Sequence, residues 1–388
     1  MTNQNINRKI LVVDDEPMNV RLMELNLKSE GYTIITAYNG EEALQKFKSE
    51  KPDLILLDIM MPIMDGNEVC RHIRSDFKDR WTPIIMATAL GDRKVQSLDD
   101  GADDFIVKPI DRYELLARVR SLLRVKELQD ELIKANKNLN EELSLAKEVQ
   151  QALLPQELPN IPNLEFSHRY IPSLIIGGDF FDILEISPSL FAIFLCDVMG
   201  HGPQAAMITG IVKAFFIQLA RYYPNPDNLL FQMNNRFYNL MSESNLQIFI
   251  TAFCLVVNAQ NGSVTYANAG HPSPYLIRNL TSRFEEMTVE RGYALGLIPD
   301  TLYQNQKLNL DNGDMIFLFT DGLIEVKDGN KTLFSEKEFL NTIQNDMHLS
   351  PEGFIVAILE SAGRFSNWAF TEDDITLLTL RYNKIGAD

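Results

Sequence analysis

Three carboxylates stand where apolar, strand-like runs stop near the start of this 388-residue chain: Asp14 and Asp15 after KILVV, and Asp58 after LILL. Open parallel sheets bind ligands beyond the carboxyl ends of their strands, so these side chains are expected to converge. Crowded carboxylates need a cation. With oxygen ligands only, Mg²⁺ or a similar hard ion is the natural choice, with positions left for water and a phosphoryl group. The run IIMATA ends its strand at Thr88 and FIVKP ends at Lys108, which adds a hydroxyl and an ammonium at the same edge. These two groups can hold the oxygens of a phosphorylated Asp58.

A second acidic set is scattered over the rest of the chain. Asp179 and Asp182 lie in GGDFFD, Asp197 in CDVMGHG, Asp321 in FTDGLIE, and Asp373 and Asp374 in EDDIT. Each follows or precedes a strand-like run, and most lie beside glycine, where backbone approaches a ligand closely. Any one of these motifs alone reads most simply as a turn. Together they read as one metal site built from distant pieces. Two hard divalent ions bridged by carboxylates activate water and neutralise a phosphoryl group, so phosphate ester hydrolysis there needs no protein nucleophile. Adjacent residues on a strand point to opposite faces, so only one of Asp373 and Asp374 can face the metals. His201 and His271 sit in glycine-flanked loops without the paired spacing of a zinc site, and read as loop or supporting residues rather than general acids.

The elements that must position these groups fall into three segments. To about Arg120, short apolar runs alternate with amphipathic stretches (KILVVDD, YTIITAY, PDLILLDIM, PIIMATA, DDFIVKPI), which predicts a doubly wound α/β domain with a parallel sheet. From about Leu115 to Leu153 there is neither proline nor glycine, and Leu128, Leu132, Ala135, Leu139, Leu143, Ala146 and Val149 recur at spacings of three and four. That stripe predicts a long amphipathic helix that forms a coiled-coil seam with a second copy or packs on its own domain. Beyond Leu164, strand-like runs (FAIFLCDV, FITAFCLVV, SVTYANAG, MIFLFTDG) cluster between helices, as in an α+β domain with mostly antiparallel sheets. The expected divisions are residues 1–124, a helical linker over 125–153, and 154–388.

Bulk properties narrow the classes. Hydrophobic residues at 45% and charged residues at 23% are ordinary globular usage, which excludes wholesale disorder. A formal charge of −17 repels nucleic acid, and no basic block offsets it. Cys70, Cys196 and Cys254 form no CxxC pair, so neither a disulfide framework nor a thiolate site is indicated. No apolar run of membrane-spanning length or signal-peptide pattern is evident, so a cytoplasmic location is expected.

VVDDEP, LLDIMMPIMDG, ATA and GADDFIVKPID, in this order and spacing, resemble the response-regulator receiver family, over about the first third of the chain. The resemblance implies a flavodoxin-like fold and a histidine kinase that phosphorylates Asp58. It further implies that Asp14, Asp15 and Asp58 hold Mg²⁺ with the Met60 carbonyl, that Thr88 and Lys108 read the acyl phosphate, and that Phe105 reports the switch. A cis Lys108–Pro109 bond is part of the same pattern.

The acidic motifs of the second set, together with YANAGHPSPYLI and YALGLIPD, resemble PP2C-like serine/threonine phosphatases of the bacterial sporulation and stress-response type, from about Ala146 to Tyr382. This implies a β-sandwich flanked by helices. Asp197 would bridge two Mn²⁺ or Mg²⁺ ions, Asp321 and Asp373 would complete the first, and Asp179 with the Val198 carbonyl would serve the second. Asp373 rather than Asp374 is the ligand by that pattern. The phosphate-binding arginine of eukaryotic relatives has no identifiable counterpart, Arg169 in SHRYIP being a guess. The implied substrate is a phosphorylated anti-sigma-factor antagonist of the small STAS type, and the implied assembly is a homodimer through the linker. Two rivals stay open: GGDFFD is similar to the GGDEF signature of receiver-linked diguanylate cyclases, and the domain would otherwise be a non-catalytic phosphoprotein-binding scaffold.

Overall fold

The computed structural model describes residues 8–76, 81–89, 101–155, 157–200, 202–242, 246–368 and 373–384, without the side chains of residues 336 and 337. His201 and most of the segment expected to form a helix between Thr88 and Asp104 lie outside these residues. The chain divides into two compact units, Met1–Leu139 and Asn140–Asp388.

In the first unit the strands β1 (Lys9–Val13), β2 (Thr33–Ala37), β3 (Leu54–Asp58), β4 (Ile84–Thr88) and β5 (Asp104–Val107) form one parallel sheet in the order β2-β1-β3-β4-β5. Every residue of β3 and β4 is buried, because both faces of the sheet are covered; this is why these runs are continuously apolar rather than alternating. Ile10, Val12, Leu54 and Leu56 pack one face with α1 (Pro17–Lys28), and Leu11, Val13, Ile55 and Leu57 pack the other with α2 (Gly40–Glu50) and α3 (Gly66–Asp76). The Asn39 side chain caps α2 by accepting from the Glu42 N–H. The strand order reverses between β1 and β3, which opens a crevice at their carboxyl ends.

A single helix, α4 (Arg112–Leu153), follows β5 for 42 residues, about 60 Å at 1.5 Å per residue. Its first turns carry Leu115, Leu116, Val119 and Leu123 into the core of the first unit. Further along, Leu128, Leu132, Leu139 and Val149 are more than half exposed on the single chain.

The second unit is a sandwich of two antiparallel sheets. One has the order β13-β10-β9-β8-β7, with β7 Asp179–Ser187, β8 Leu190–Val198, β9 Ile250–Asn258, β10 Ser263–Ala269 and β13 Gln306–Asn309. The other has the order β12-β11-β14-β15-β6, with β6 Leu164–Ile171, β11 Tyr275–Arg278, β12 Arg283–Glu286, β14 Met315–Phe319 and β15 Ile375–Tyr382. Alternation assigns Phe181, Ile193, Leu195, Phe253 and Leu255 to the interior, where they meet Ile316, Leu318, Leu378 and Leu380 of the facing sheet. The intervening residues face outward into helices. Phe194, Cys196 and Ala252 pack on α5 (Pro203–Ala220) and α6 (Pro226–Met241). Phe317, Phe319 and Leu377 pack on helices that include α7 (Asp321–Ile324), α8 (Phe334–Lys337), α9 (Phe339–Asp346) and α10 (Pro351–Ser366).

One expectation is corrected here. Among the described residues, α5 is long and apolar enough to cross a membrane by length and composition, because Lys213 is its sole charge. Its Ala205, Ile208, Val212, Phe216 and Leu219 are instead committed to the core against the first sheet.

Phe317 is fully buried and meets Phe354 edge-on at 5.0 Å between ring centroids. Phe317→Ala is expected to destabilise the second unit by about 3–5 kcal/mol, measured by denaturant unfolding; a loss under about 1 kcal/mol would contradict this packing.

Candidate functional site

At the crevice of the first unit the turn after β1 supplies Asp14 and Asp15, and β3 ends on Asp58. Asp14 is fully buried and Asp58 nearly so, whereas Asp15 is exposed. Carboxylate oxygens from all three lie within 4.8 Å of one another. Lys108, just past β5, places Nζ 2.7 Å from Asp14 Oδ2 and 2.9 Å from Asp58 Oδ1. Asp14 Oδ1 also accepts from the Glu16 N–H and from Asn19 Nδ2, each at 3.0 Å, so its orientation is fixed. Burial pushes the Asp58 carboxyl above its ordinary pKa, and Lys108 offsets part of that shift. For Lys108, burial acts to lower the ammonium, but its bonds to Asp14 and Asp58 outweigh this and hold it above the usual lysine value.

Thr88 is buried at the end of β4, and its carbonyl accepts from the Lys108 N–H at 2.8 Å, which sets the two residues side by side. The Lys108–Pro109 peptide is cis. Phe105 is half-buried on β5 with the Arg118 guanidinium 5.5 Å from its ring centre. Met60 lies two residues past Asp58 with its side chain exposed. Gly66 has a steric reason: a Cβ there would stand 2.2 Å from the Asp58 carbonyl oxygen, so α3 can start this close to the strand only with glycine.

In the second unit, Asp179 opens β7 and Asp197 lies one residue from the end of β8, and the two are direct register partners. Their parity is that of Phe181 and Leu195, so both carboxylates point toward the space between the sheets at one end of the sandwich. The facing sheet answers with hydroxyls. Thr320 and Thr376 donate to Asp179 Oδ2 at 2.7 and 2.6 Å, which leaves Oδ1 for other work. Asp321 follows β14 at the start of α7, and Asp373 precedes β15. A Cβ on Gly178 would lie 2.8 Å from the Val198 carbonyl oxygen, so glycine is what allows that carbonyl to approach the strand carrying Asp179.

The electrostatics are those of crowded carboxylates that raise one another's pKa. Burial first, then the neighbouring Asp197, push Asp179 well above the ordinary carboxylate range. Asp197 is pushed up to about 8 by burial and by Asp321, Asp373, Asp374 and Glu325. Asp321 is pushed up to about 6 by burial, Asp373 and Glu325. All donors are oxygens, the set suited to Mg²⁺ or Mn²⁺. Among the described residues, three acidic groups converge within 4.8 Å at Asp14, Asp15 and Asp58 alone; the carboxylates of the second unit influence one another over wider spacings.

The remaining candidates sort by their partners. The Asp374 carboxylate accepts from the backbone N–H groups of Ser173 and Gly178 and from the Ser173 hydroxyl, so it braces the GGDFFD loop. Asp182 faces Lys213 at 3.3 Å. His271 is fully buried, its Nδ1 2.8 Å from Thr251 Oγ1, and burial lowers its pKa to about 3. Arg169 is paired with Glu352.

Residues not singled out in the sequence complete the picture. Glu325 adds a further acidic influence to the cluster, and Thr320 and Thr376 hold Asp179. Gln150, near the end of α4, is buried and clasps Gly177: its Nε2 donates to the Gly177 carbonyl at 2.6 Å, and its Oε1 accepts from the Gly177 N–H at 3.2 Å. Lys213 on α5 donates to the carbonyl of Leu153, the last residue of α4, where a cation complements the helix dipole. The period-two positions of Thr320 and Thr376 beside the acidic motifs were a usable signal; Gln150 carried none.

Comparison with known proteins agrees with this architecture. The profile of stage II sporulation protein E (SpoIIE) matches residues 187–383, more than half of the chain, and that of the response regulator receiver domain matches residues 10–120. The alkaline phosphatase synthesis transcriptional regulatory protein PhoP of Bacillus subtilis is 49% identical over 125 residues, 32% of this chain and 51% of that protein. The match thus spans about half of that relative's length. The SiaA-PP2C domain of Pseudomonas aeruginosa aligns with a TM-score of 0.57 at 21% identity, over 64% of this chain and 99% of that one. The RsbU and RsbW domains of a Mycobacterium tuberculosis protein align with a TM-score of 0.51 at 23% identity, over 60% and 63% of the two chains. At these identities the structural likeness is one of fold. The chain belongs to the stage II sporulation protein E family, with a response regulator receiver domain preceding a PP2C-like phosphatase domain.

Proposed function

We propose that this response regulator acts by metal-dependent dephosphorylation of phosphoserine or phosphothreonine on a partner protein, under the control of phosphorylation at Asp58. The observation that carries the reading is the crowding of carboxylates from four separate segments, Asp179 buried and Asp197, Asp321 and Asp373 partly buried, with Asp197 raised to about 8 and Asp321 to about 6. Like charges held this way call for cations, and a pair of divalent ions is a common arrangement for phosphate ester hydrolysis. In this reading Asp197 with Asp321 and Asp373 would hold one ion, and Asp179 with Asp197 and the Val198 carbonyl would hold the other. Ions bound there supply Lewis acidity toward the phosphoryl group and lower the pKa of water. The chain's own part is to hold Asp179 by Thr320 and Thr376, and to keep Asp374 on the loop.

In the receiver, Asp14, Asp15, Asp58 and the Met60 carbonyl are assigned to Mg²⁺. Asp58 accepts the phosphoryl group from a histidine kinase, Thr88 and Lys108 bind its oxygens, and Phe105 reports the switch. The exposed stripe of α4 is assigned to a coiled-coil homodimer. Gln150 gives that helix a grip on the loop before Asp179 and Lys213 ties its last residue to α5, which supports transmission from receiver to active site. The substrate assigned is a phosphorylated STAS-type anti-sigma-factor antagonist, and the setting cytoplasmic. A cyclase reading of GGDFFD leaves the register pairing of Asp179 with Asp197 without a role. A scaffold reading does the same for the raised carboxylates.

Mn²⁺-dependent hydrolysis of p-nitrophenyl phosphate by the full chain is expected to fall at least about 100-fold in Asp197→Ala, the scale of losing a charge-stabilising group; equal rates would refute the site. Turnover is expected to change when acetyl phosphate is added, and Asp58→Ala to abolish that change; identical rates in all four conditions would remove the receiver from control.

The raised carboxyls also fix a pH dependence. The folded protein binds these protons more tightly than the unfolded chain, so without metal stability falls as pH rises from the ordinary carboxylate value of 3.8 through about 6 and about 8. A divalent ion should reverse the loss. Mn²⁺ is therefore expected to raise the melting temperature more at about pH 8 than at about pH 5, by several degrees, and less in Asp197→Asn. No difference between wild type and Asp197→Asn would count against metal binding there.

A further inference from the structure

A cavity of about 320 Å³ opens beside Asp321, at the end of the sandwich that carries the acidic cluster. Its floor is apolar, from Pro272, Tyr275, Phe319, Ile324, Phe339 and Leu340, and the cation in its lining is Arg291. Pockets of this size with an apolar floor and a few polar groups are the usual form of a side-chain or ligand site. The Arg291 guanidinium has five donors. One nitrogen is 3.0 Å from Ser273 Oγ, and Glu286 stands off at 3.7 Å, farther than a direct hydrogen bond. Both members of the Arg291–Glu286 pair are about half exposed, so their attraction is weak and yields to a better-placed acid.

From this geometry we infer that the cavity is the specificity subsite of the active site, holding the partner's residues beside the phosphorylated one: an apolar side chain on the floor and an acidic side chain on Arg291. The inference rests on the phosphatase reading above. Charge complementarity supports this occupant. The acidic cluster repels an anionic partner along most of this edge, and Arg291 offers a positive counterpart within the same cavity as Asp321. Tyr275 and Phe339 stack edge to face at 5.8 Å, which makes the floor rigid.

The test compares phosphoserine peptides flanked on both sides by Leu-Glu with the same peptides flanked by Leu-Lys, using the full chain with Mn²⁺. Wild type is expected to favour the glutamate peptide by about tenfold in kcat/KM, mostly through KM, the scale of one partly desolvated charge pair. Arg291→Glu should invert the preference and Arg291→Gln should erase it. Because each preference is a ratio within one enzyme, partial misfolding does not mimic inversion. A preference absent in wild type, or unchanged in Arg291→Glu, overturns the subsite alone. Failure of wild type to hydrolyse p-nitrophenyl phosphate overturns the phosphatase reading and the subsite with it.

Discussion

Asp179 and Asp197 are held opposite each other on paired strands, Asp179 fully buried and Asp197 partly so, where water screens them only in part. Carboxylates at such cross-strand separation, about 5 Å, repel by about 3 kcal/mol at an effective dielectric near 20. Nothing in the strand pairing relieves this, because a register slip by one residue would turn Phe181 and Leu195 out of the core together with the two acids. The packing of the sandwich therefore enforces the repulsion. The surroundings are arranged to tolerate it: Thr320 and Thr376 bond one oxygen of Asp179, and glycine at 178 lets a backbone carbonyl draw near. Under the proposed reading, a site destabilised by its own charges would be poised for divalent cations by the same repulsion.

The receiver handles a similar crowding differently. Asp14 and Asp58 have a cation of their own in Lys108, close enough to bond both. The site is thus partly neutralised by the protein itself, which fits the role of phosphoryl acceptor proposed for Asp58. In the second unit, what offsets Asp179 among the described residues is a pair of hydroxyls rather than an ammonium, and Lys213 is committed to Asp182 and to the end of α4. The two halves of the molecule answer one electrostatic problem in ways that match a transient phosphate carrier and a hydrolytic centre.

Much of the arrangement was legible because strand ends are legible. Asp14, Asp58, Asp179, Asp197 and Asp321 each border an apolar run, and the parallel and antiparallel sheets follow from how those runs are spaced between helices. What a single strand cannot reveal is its partner across the sandwich. The hydroxyls of Thr320 and Thr376 act on an acid some 140 or more residues away in sequence, and only the closed sandwich brings them together. Alternation stated that Asp373 and Asp374 point oppositely, but which one meets the loop was decided by Ser173 and Gly178. Gln150 and Arg291 were silent for the same reason: one looks like any polar residue on a charged helix, and the other gains meaning from a cavity formed by Tyr275, Phe339 and Asp321.

The central claim is that the clustered carboxylates of the second unit exist to hold divalent cations. The most direct measurement is anomalous diffraction at the manganese edge from crystals of the full chain grown with Mn²⁺. The account predicts two peaks sharing Asp197, about 3.5–4 Å apart as in other two-metal sites. Crystals that bind manganese at Asp14, Asp15 and Asp58 but show no peak beside Asp197 would contradict it.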